Sequence, residues 1–347
     1  MDRLRELIQI SIGKLDRFST PPSESEWKRL YAEACKQAIL GVTYRALETV
    51  PAEQLTNPDI VAKWKDKKEK IAIMCEVYED HNRRVARTLG DFGFRCTFLK
   101  GEGLAFRFYP APLLRQCGDI DVWVDGGRKE IIRTLRRQYR IWNIYYHECK
   151  VGFFPHLTVE AHFIPVRMYN PRSNRRLQKY FEARKDACMR AEVPGRGYPA
   201  PDAPFNAIYL MAHILRHVLN GGVGLRHIWD YYYVVLALTP EQRETARLDL
   251  RRLGLGGIAA EVSYILSDLF GMDDATLPYR PARRRGRKLI AEILSEGNFG
   301  IGRKKSGSGK GLRRNLHYLG RFPSEVLWIP VSRVWHFLWR KYVKLSY

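Results

Sequence analysis

The sequence lacks the long uncharged apolar run that a membrane-spanning helix needs. Such a helix takes roughly 18–20 consecutive apolar residues, and no stretch of the 347 residues reaches that length. The first residues, Met1–Glu6, include acidic side chains and lead into no apolar block with a small-residue cleavage site, so no secretory signal is predicted. We therefore expect a cytoplasmic protein, with peripheral contact to the inner membrane surface as a further option.

Cysteine is scarce and never closely spaced. The six cysteines are Cys35, Cys75, Cys96, Cys117, Cys149 and Cys188. No C-x-x-C pair occurs, which excludes a zinc knuckle and a thioredoxin-like redox motif. We expect small buried thiols in apolar stretches, with no disulfides and no zinc.

Positive charge, in contrast, is in excess. The chain has 59 lysine and arginine residues against 37 acidic ones, a formal net charge of +22. Residues 279–347 hold seventeen basic and three acidic side chains and so supply +14 of it. This tail could contact a polyanion such as nucleic acid, or an anionic membrane surface. A solvated basic face is the alternative.

Hydrophobic periodicity divides the chain into five regions. They are an N-terminal helical region (1–66), an α/β core (67–165), a connecting segment (166–205), a helical domain (206–278) and a basic, Trp-rich tail (279–347). Apolar residues at three-to-four spacing predict helices outside the sheet-forming part. These helices are predicted over 33–47, 71–89, 206–219, 225–238 and 258–270.

The core alternates between strand and helix patterns. Short apolar or aromatic runs predict strands over 94–99, 120–124, 141–150 and 157–163, and a helix is predicted over 128–138. This order indicates an α+β fold in which a small mixed sheet is flanked by N-terminal and C-terminal helical regions.

The most informative segment places two carboxylates at the start of a predicted strand. Asp119 and Asp121 are two residues apart, so their side chains project from the same face. At about 5 Å they would repel by roughly 3 kcal/mol at an effective dielectric near 20, which favours a cation between them. Mg²⁺ fits best, because Mg²⁺ prefers oxygen ligands and binds carboxylates together with substrate phosphates. Mn²⁺ is the alternative ion. A solvated strand face is the alternative.

The surrounding motifs resemble the uncharacterised nucleotidyltransferase family of the polymerase-β-like superfamily. The matching motifs are Lys100-Gly101, Tyr109-Pro110, Arg115, Gly118-Asp119-Ile120-Asp121-Val122 and Val159-Glu160-Ala161-His162. The resemblance covers residues 95–165. It implies a Mg²⁺-dependent enzyme that moves a nucleoside monophosphate from an NTP to an unidentified acceptor hydroxyl or phosphate and releases pyrophosphate. The acceptor could be a small molecule, RNA or a protein.

The resemblance also implies which acids hold metal. Asp119 and Asp121 would be metal ligands and catalytic residues, with Glu160 as the third acid. Glu148, on the neighbouring predicted strand, is the alternative third acid.

Residues around the first strand would bind the nucleotide. Lys100-Gly101 stands where the wider superfamily has Gly-Ser, so the triphosphate contact falls to Lys100, to the backbone N–H groups of Gly101 to Gly103 at a helix start, or to both. Gly118 belongs to the same predicted nucleotide site. Arg115 could reach a phosphate with its planar fork of donors, or it could pair with a nearby acid.

The resemblance extends more loosely to the helical region, where His213, His217, Arg226 and Asp230 are expected near the cleft. His213 and His217 share one helix face, but two imidazoles without H-E-x-x-H do not indicate zinc, so core packing or substrate contact is expected. Arg226 and Asp230 are also four residues apart. They could form a helical ion pair or brace the cleft wall.

The tail leaves a second class of function open. Residues 302–311 are predicted to be mobile, and the Trp-rich stretch 331–345 suits either an interfacial helix or a helix docked on the core. The alternative to an enzyme is a non-catalytic protein that binds nucleic acid or a membrane surface through a degenerate nucleotidyltransferase fold and this tail.

Overall fold

A five-stranded mixed sheet surrounded by helices is the centre of the fold. The computed structural model describes residues 2–298 and 316–346. Four helices precede the sheet: α1 (Asp2–Ser11), α2 (Glu24–Lys36), α3 (Leu40–Thr49) and α4 (Pro58–Asp91). The 34-residue α4 begins at a proline, and the Asn57 side chain accepts a hydrogen bond from the Ile60 N–H, a favourable helix start.

The strands interleave with two short helices, α5 (Gly101–Phe108) and α6 (Arg128–Leu135). The strands are β1 (Cys96–Phe98), β2 (Ile120–Val124), β3 (Ile141–Trp142), β4 (Glu148–Val151) and β5 (Val159–His162). Their order in the sheet is β1-β2-β5-β4-β3. β2 and β5 are parallel, and the other neighbouring pairs are antiparallel.

The remaining helices follow the sheet in sequence. Those whose whole range lies among the described residues are α7 (Pro171–Glu182), α8 (Lys185–Arg190), α9 (Ala203–Asn220), α10 (Leu225–Leu236), α11 (Pro240–Arg252), α12 (Gly256–Phe270), α13 (Arg283–Glu296), α14 (Pro323–Val326) and α15 (Ile329–Ser346).

The two faces of the sheet differ because side chains alternate along each strand. Ile120, Val122 and Val124 of β2 point to one face, where they form a buried cluster with residues of α4 and α6. Asp121 and Trp123 point to the other face. Trp123 stacks on Phe205 of α9 with ring centroids 6.0 Å apart, so the polar face of β2 is turned toward α9.

Gln37, in the turn between α2 and α3, ties the N-terminal helices to the later ones. Its side-chain oxygen accepts from the backbone N–H of Leu225 at 3.1 Å, and its amide nitrogen donates to the Ile293 carbonyl at 2.9 Å. The first of these bonds fixes the start of α10, which carries residues of the site.

Most predicted elements are confirmed, and two are wrong in an informative way. The strand predicted over 141–150 is a hairpin of β3 and β4, because Asn143 adopts φ +48° and ends β3. The helix predicted over 33–47 is divided between α2 and α3, because Ala38 adopts φ +54°. The predicted mobile segment 302–311 lies outside the described residues, and the five region boundaries stay predictions.

The cysteine prediction is confirmed for most positions. All six cysteines are free thiols, and the four that lie fully buried are Cys75, Cys96, Cys149 and Cys188.

Candidate active site

Asp121 lies at the centre of a buried cluster of charged groups on the polar face of the sheet. The Lys100 Nζ atom is 2.8 Å from Asp121 Oδ1, and His162 Nε2 is 2.9 Å from the same oxygen. Burial alone would raise the pKa of the Asp121 carboxyl, but the Lys100 charge and the His162 bond hold that pKa well below its usual range. Asp121 is therefore ionised at neutral pH although it is only 3% exposed.

Strand register decides which glutamate neighbours Asp121. Glu160 of β5 is the register partner of Asp121, whereas Glu148 of β4 is the partner of His162. The ligand atoms of Asp121, Glu160 and His162 all lie within 4.8 Å of one another. Glu148 Oε2 instead contacts His147 at 3.3 Å and His162 at 3.6 Å. Glu160, rather than Glu148, is therefore the glutamate that lies beside Asp121.

The carboxylates of this cluster repel one another. Burial, together with the charges of Asp121 and Glu148, raises the pKa of Glu160 to about 7. The charge of Asp121, together with burial, also raises the pKa of Asp119, which lies just before β2. Lys100 and the Lys150 ammonium, 3.3 Å from Glu160, supply positive charge against this repulsion. A divalent cation would reduce the electrostatic repulsion among these carboxylates further.

The start of α5 lies against this cluster. Lys100 is the N-cap residue, and its ammonium, which can only donate, contacts the Asp121 carboxylate at 2.8 Å. Gly101 adopts φ +62°, a left-handed conformation that favours glycine. A Cβ on Gly103 would come within 3.1 Å of Phe98 and Ala200, so this turn of α5 packs closely on its neighbours. Gly118 is exposed in the loop before Asp119.

Arg115 is placed in the ion-pair role rather than the nucleotide role. Its Nε and Nη2 atoms donate to the two carboxylate oxygens of Asp230 at 2.9 and 2.7 Å, and the Tyr109 hydroxyl donates to Oδ1 at 2.6 Å. The predicted alternative of an ion pair with a nearby acid is thus confirmed, and the phosphate contact of Arg115 stays a prediction. Arg226 donates through Nη1 to the Gln116 carbonyl at 3.0 Å. The two arginines therefore brace the loop that leads to Asp119.

The predicted histidine pair is part of a larger cluster. His213 and His217 share a face of α9, with ring centroids 4.4 Å apart, and His227 of α10 lies 4.9 Å from His217. Burial and the Lys100 charge lower the pKa of all three imidazoles, to about 3 for His217, so the rings are neutral. Substrate contact by this pair stays a prediction.

Two residues of the region were not predicted as site residues from the sequence. His162 is two residues after Glu160, so strand alternation alone places both on one face, and this signal was available. His227 had no such signal, because it reaches His213 only through the chain reversal at residues 221–224.

A family model described as an uncharacterised nucleotidyltransferase matches residues 23–271. The chain belongs to this family. The match includes the whole sheet and both helices that carry the histidine cluster, so every site residue discussed above lies within the nucleotidyltransferase region. No curated protein matches the sequence.

The tail beyond the nucleotidyltransferase match docks on the core through one face of α15. Trp335 and Trp339 pack edge-on to Tyr146 with centroids 5.0 and 5.7 Å away, and Arg167 donates to the Ser332 hydroxyl at 2.8 Å. The docked helix is thus confirmed. Among the described residues, no helix has the length and apolarity to cross a bilayer.

Another face of α15 is exposed and apolar. Val331, Val334 and Phe337 are 54%, 61% and 61% exposed. The basic run Arg283–Lys288 begins α13 with its charged side chains exposed, as the solvated-face alternative requires.

Proposed function

We propose that the protein is a metal-dependent nucleotidyltransferase with a polymerase-β-like core. It would move a nucleoside monophosphate from an NTP to an acceptor hydroxyl or phosphate and release pyrophosphate. One observation carries this proposal: Asp121 and Glu160 are register partners on adjacent parallel strands, on the buried polar face, with Asp119 two residues upstream. Such a cluster is suited to a divalent cation that also contacts phosphate.

The residues present fit Mg²⁺ or Mn²⁺. Asp119, Asp121 and Glu160 would supply the oxygen ligands that these ions prefer. Burial, and next the charges of Asp121 and Glu148, raise the pKa of Glu160, which is consistent with a site that a cation would stabilise. When bound, the ion would supply charge neutralisation at the transferred phosphate and a more acidic attacking oxygen.

The chain's own groups would position the nucleotide. Backbone N–H groups at the start of α5, from Gly101 to Gly103, form the positive end of a helix and suit a triphosphate. The Lys100 ammonium contacts Asp121 and belongs to the N-cap residue of α5. If Asp121 held a metal ion, this ammonium would be free to contact a phosphate at the same helix start. Rate acceleration would then come mostly from positioning and from fixed positive charge.

The experiment compares wild type with the double variant Asp119→Asn and Asp121→Asn. Each α-labelled NTP is incubated with Mg²⁺ or Mn²⁺ and with RNA, protein or metabolite acceptors, and label transfer is measured. Calorimetric NTP binding in Mn²⁺ is measured in parallel, because it needs no acceptor. We expect the double variant to lose both transfer and binding, while Asp66→Asn, an exposed carboxylate on α4, retains them. Transfer or NTP binding that survives the double substitution would contradict the assignment.

For the tail we propose contact with an anionic membrane surface. The exposed apolar side chains of α15 lie beside Arg333, Arg340 and Lys341, a combination that suits an interfacial helix. Vesicles with and without anionic lipid test this by co-sedimentation. Replacing Val331 and Phe337 by serine should abolish binding, whereas serine at the exposed Ile73 and Met74 of α4 should not. Equal sedimentation of the two variants would contradict the proposal.

A further inference from the structure

Three histidines form a second group of metal-ligating side chains beside the carboxylate cluster. We propose that His213, His217 and His227 bind a divalent transition metal ion, with Zn²⁺ as the ion to test first. The sequence offers two imidazoles on α9 and no closely spaced cysteines, and so predicts no zinc. The structure adds a third from α10, and this changes the ligand count from two to three.

The geometry of the three rings suits such an ion. One nitrogen from each ring lies within 4.8 Å of the others. Nitrogens bound to one tetrahedral Zn²⁺ stand about 3.4 Å apart, given Zn–N distances of about 2.0–2.1 Å. Side-chain rotation would have to close this difference. Three imidazoles would leave a fourth position for water or a substrate oxygen.

The helices that carry the rings are held by contacts of their own. The start of α10 is fixed by the bond from the Leu225 N–H to the Gln37 side chain. A Cβ on Gly224 would come within 2.9 Å of Asn298, so the turn between α9 and α10 is closely packed. The Gly224 N–H donates to His227 Nδ1 over 3.3 Å. Metal binding would compete with this long hydrogen bond and with the hydrogen bond between the His217 ring and the Gly222 backbone.

The charges around the rings do not exclude a dication. Lys100, Arg115, Arg216 and Arg226 are cations that act on the three imidazoles. The carboxylates of Asp119 and Asp121 act on Lys100, and Asp230 pairs with Arg115, so two of these cations have acidic partners. Nitrogen ligands favour Zn²⁺, and the oxygen-rich group around Asp121 favours Mg²⁺, so the two sites would select different ions.

The test measures Zn²⁺ binding to the full chain after chelator treatment, by competition with a chromophoric chelator in excess Mg²⁺. Co²⁺ substitution is followed in parallel by its visible absorption bands. We expect one tight Zn²⁺ per chain and a loss of at least tenfold in affinity in His213→Ala and in His217→Gln. His156→Ala, at an exposed histidine, should bind as wild type does.

A Glu160→Gln variant separates this site from the carboxylate cluster, whose His162 could also hold zinc. Zinc affinity that is unchanged in Glu160→Gln but lost in His217→Gln supports the proposal. Absence of tight binding, or binding lost in Glu160→Gln and kept in both histidine variants, overturns it. Circular dichroism checks that each variant folds. If His213→Ala does not fold, His217→Gln and the Zn²⁺-dependent rise in wild-type Tm decide the result.

Discussion

Lys100 forms an ion pair with Asp121 and is proposed to contact phosphate, and the substitution Lys100→Met distinguishes these two roles. In the metal-free protein its ammonium neutralises Asp121 over 2.8 Å. In the proposed reaction Asp121 would hold a metal ion, and the Lys100 ammonium would contact phosphate. Methionine keeps much of the side-chain volume and removes the charge, so the variant should be less stable without metal and should bind a free divalent ion more tightly.

The expected loss of stability follows from burial. Breaking a buried ion pair by removing one partner costs about 3–5 kcal/mol. The side chain of Lys100 is 17% exposed, and His162 still holds Asp121, so we expect a loss of about 1–3 kcal/mol at pH 7. The pair holds the pKa of Asp121 below its usual range, so its contribution is present above the unfolded pKa and is lost as pH falls through the folded one. The difference between variant and wild type should therefore shrink in strong acid.

Two measurements check this prediction. Urea unfolding with a chelator gives the free energy, with Lys70→Met as control. Lys70 contacts Asp66 at 2.9 Å, but both side chains are more than half exposed, so this control should lose no more than about 0.5 kcal/mol. Mn²⁺ binding without nucleotide, followed by electron paramagnetic resonance, should tighten by about tenfold in Lys100→Met, or about 1.4 kcal/mol. If Lys100→Met has the same stability and the same Mn²⁺ affinity as wild type, Lys100 does not neutralise Asp121 as proposed.

Three further predictions concern neighbouring groups. Arg115→Met leaves the buried Asp230 carboxylate without its bidentate partner, and urea unfolding should show a loss of about 3–5 kcal/mol; a loss below that of an exposed pair would contradict the buried-pair interpretation. Burial and the charges of Asp121 and Glu148 raise the folded pKa of Glu160 to about 7, so the contribution of Glu160 itself to metal-free stability is full below its unfolded pKa and is lost as pH rises through 7; relative to wild type, Glu160→Gln should therefore gain stability in thermal unfolding as pH rises from 5 to 8, and a difference that does not change with pH would contradict this. Gly101→Ala places an L-residue at φ +62° and should cost about 1 kcal/mol in urea unfolding, whereas Gly90→Ala in α4 should gain about 0.5–1 kcal/mol; the same sign for both would be inconsistent with this strain.

The site strand was predictable because its signals are local. Apolar residues alternate over 120–124, and Gly126-Gly127 ends the pattern. These two signals predict β2 with the bounds that the structure shows. Two aspartates at i and i+2 then had to share a face. The pairing of β2 with β5, which brings Glu160 to Asp121, needs contact across forty residues of chain. Only the family resemblance indicated it.

The contacts that shape the rest of the site have no local signal. Arg115 and Asp230 are 115 residues apart, and nothing in either neighbourhood shows which acid the arginine meets. His227 joins His213 because Gln37, from the N-terminal helices, fixes the start of α10. The breaks at Ala38 and Asn143 occur at non-glycine residues with positive φ, a conformation that such residues seldom adopt. The hydrophobic periodicity of the sequence continues through both turns and therefore does not indicate them.

The local charge of the site runs against the net charge of the chain. Around Asp121 the sheet gathers Asp119, Glu148 and Glu160, while the excess of basic residues lies mainly in the tail. Crowded acids destabilise the metal-free fold, so any divalent ion that binds there is coupled to folding through the same repulsion it relieves. The proposed nucleotide would add negative charge to this region, and the ion would offset the repulsion that it meets there, so ion and nucleotide should each tighten the binding of the other. Lys100, which bonds Asp121 without metal and lies at the helix start suited to phosphate, is the residue through which this coupling would act.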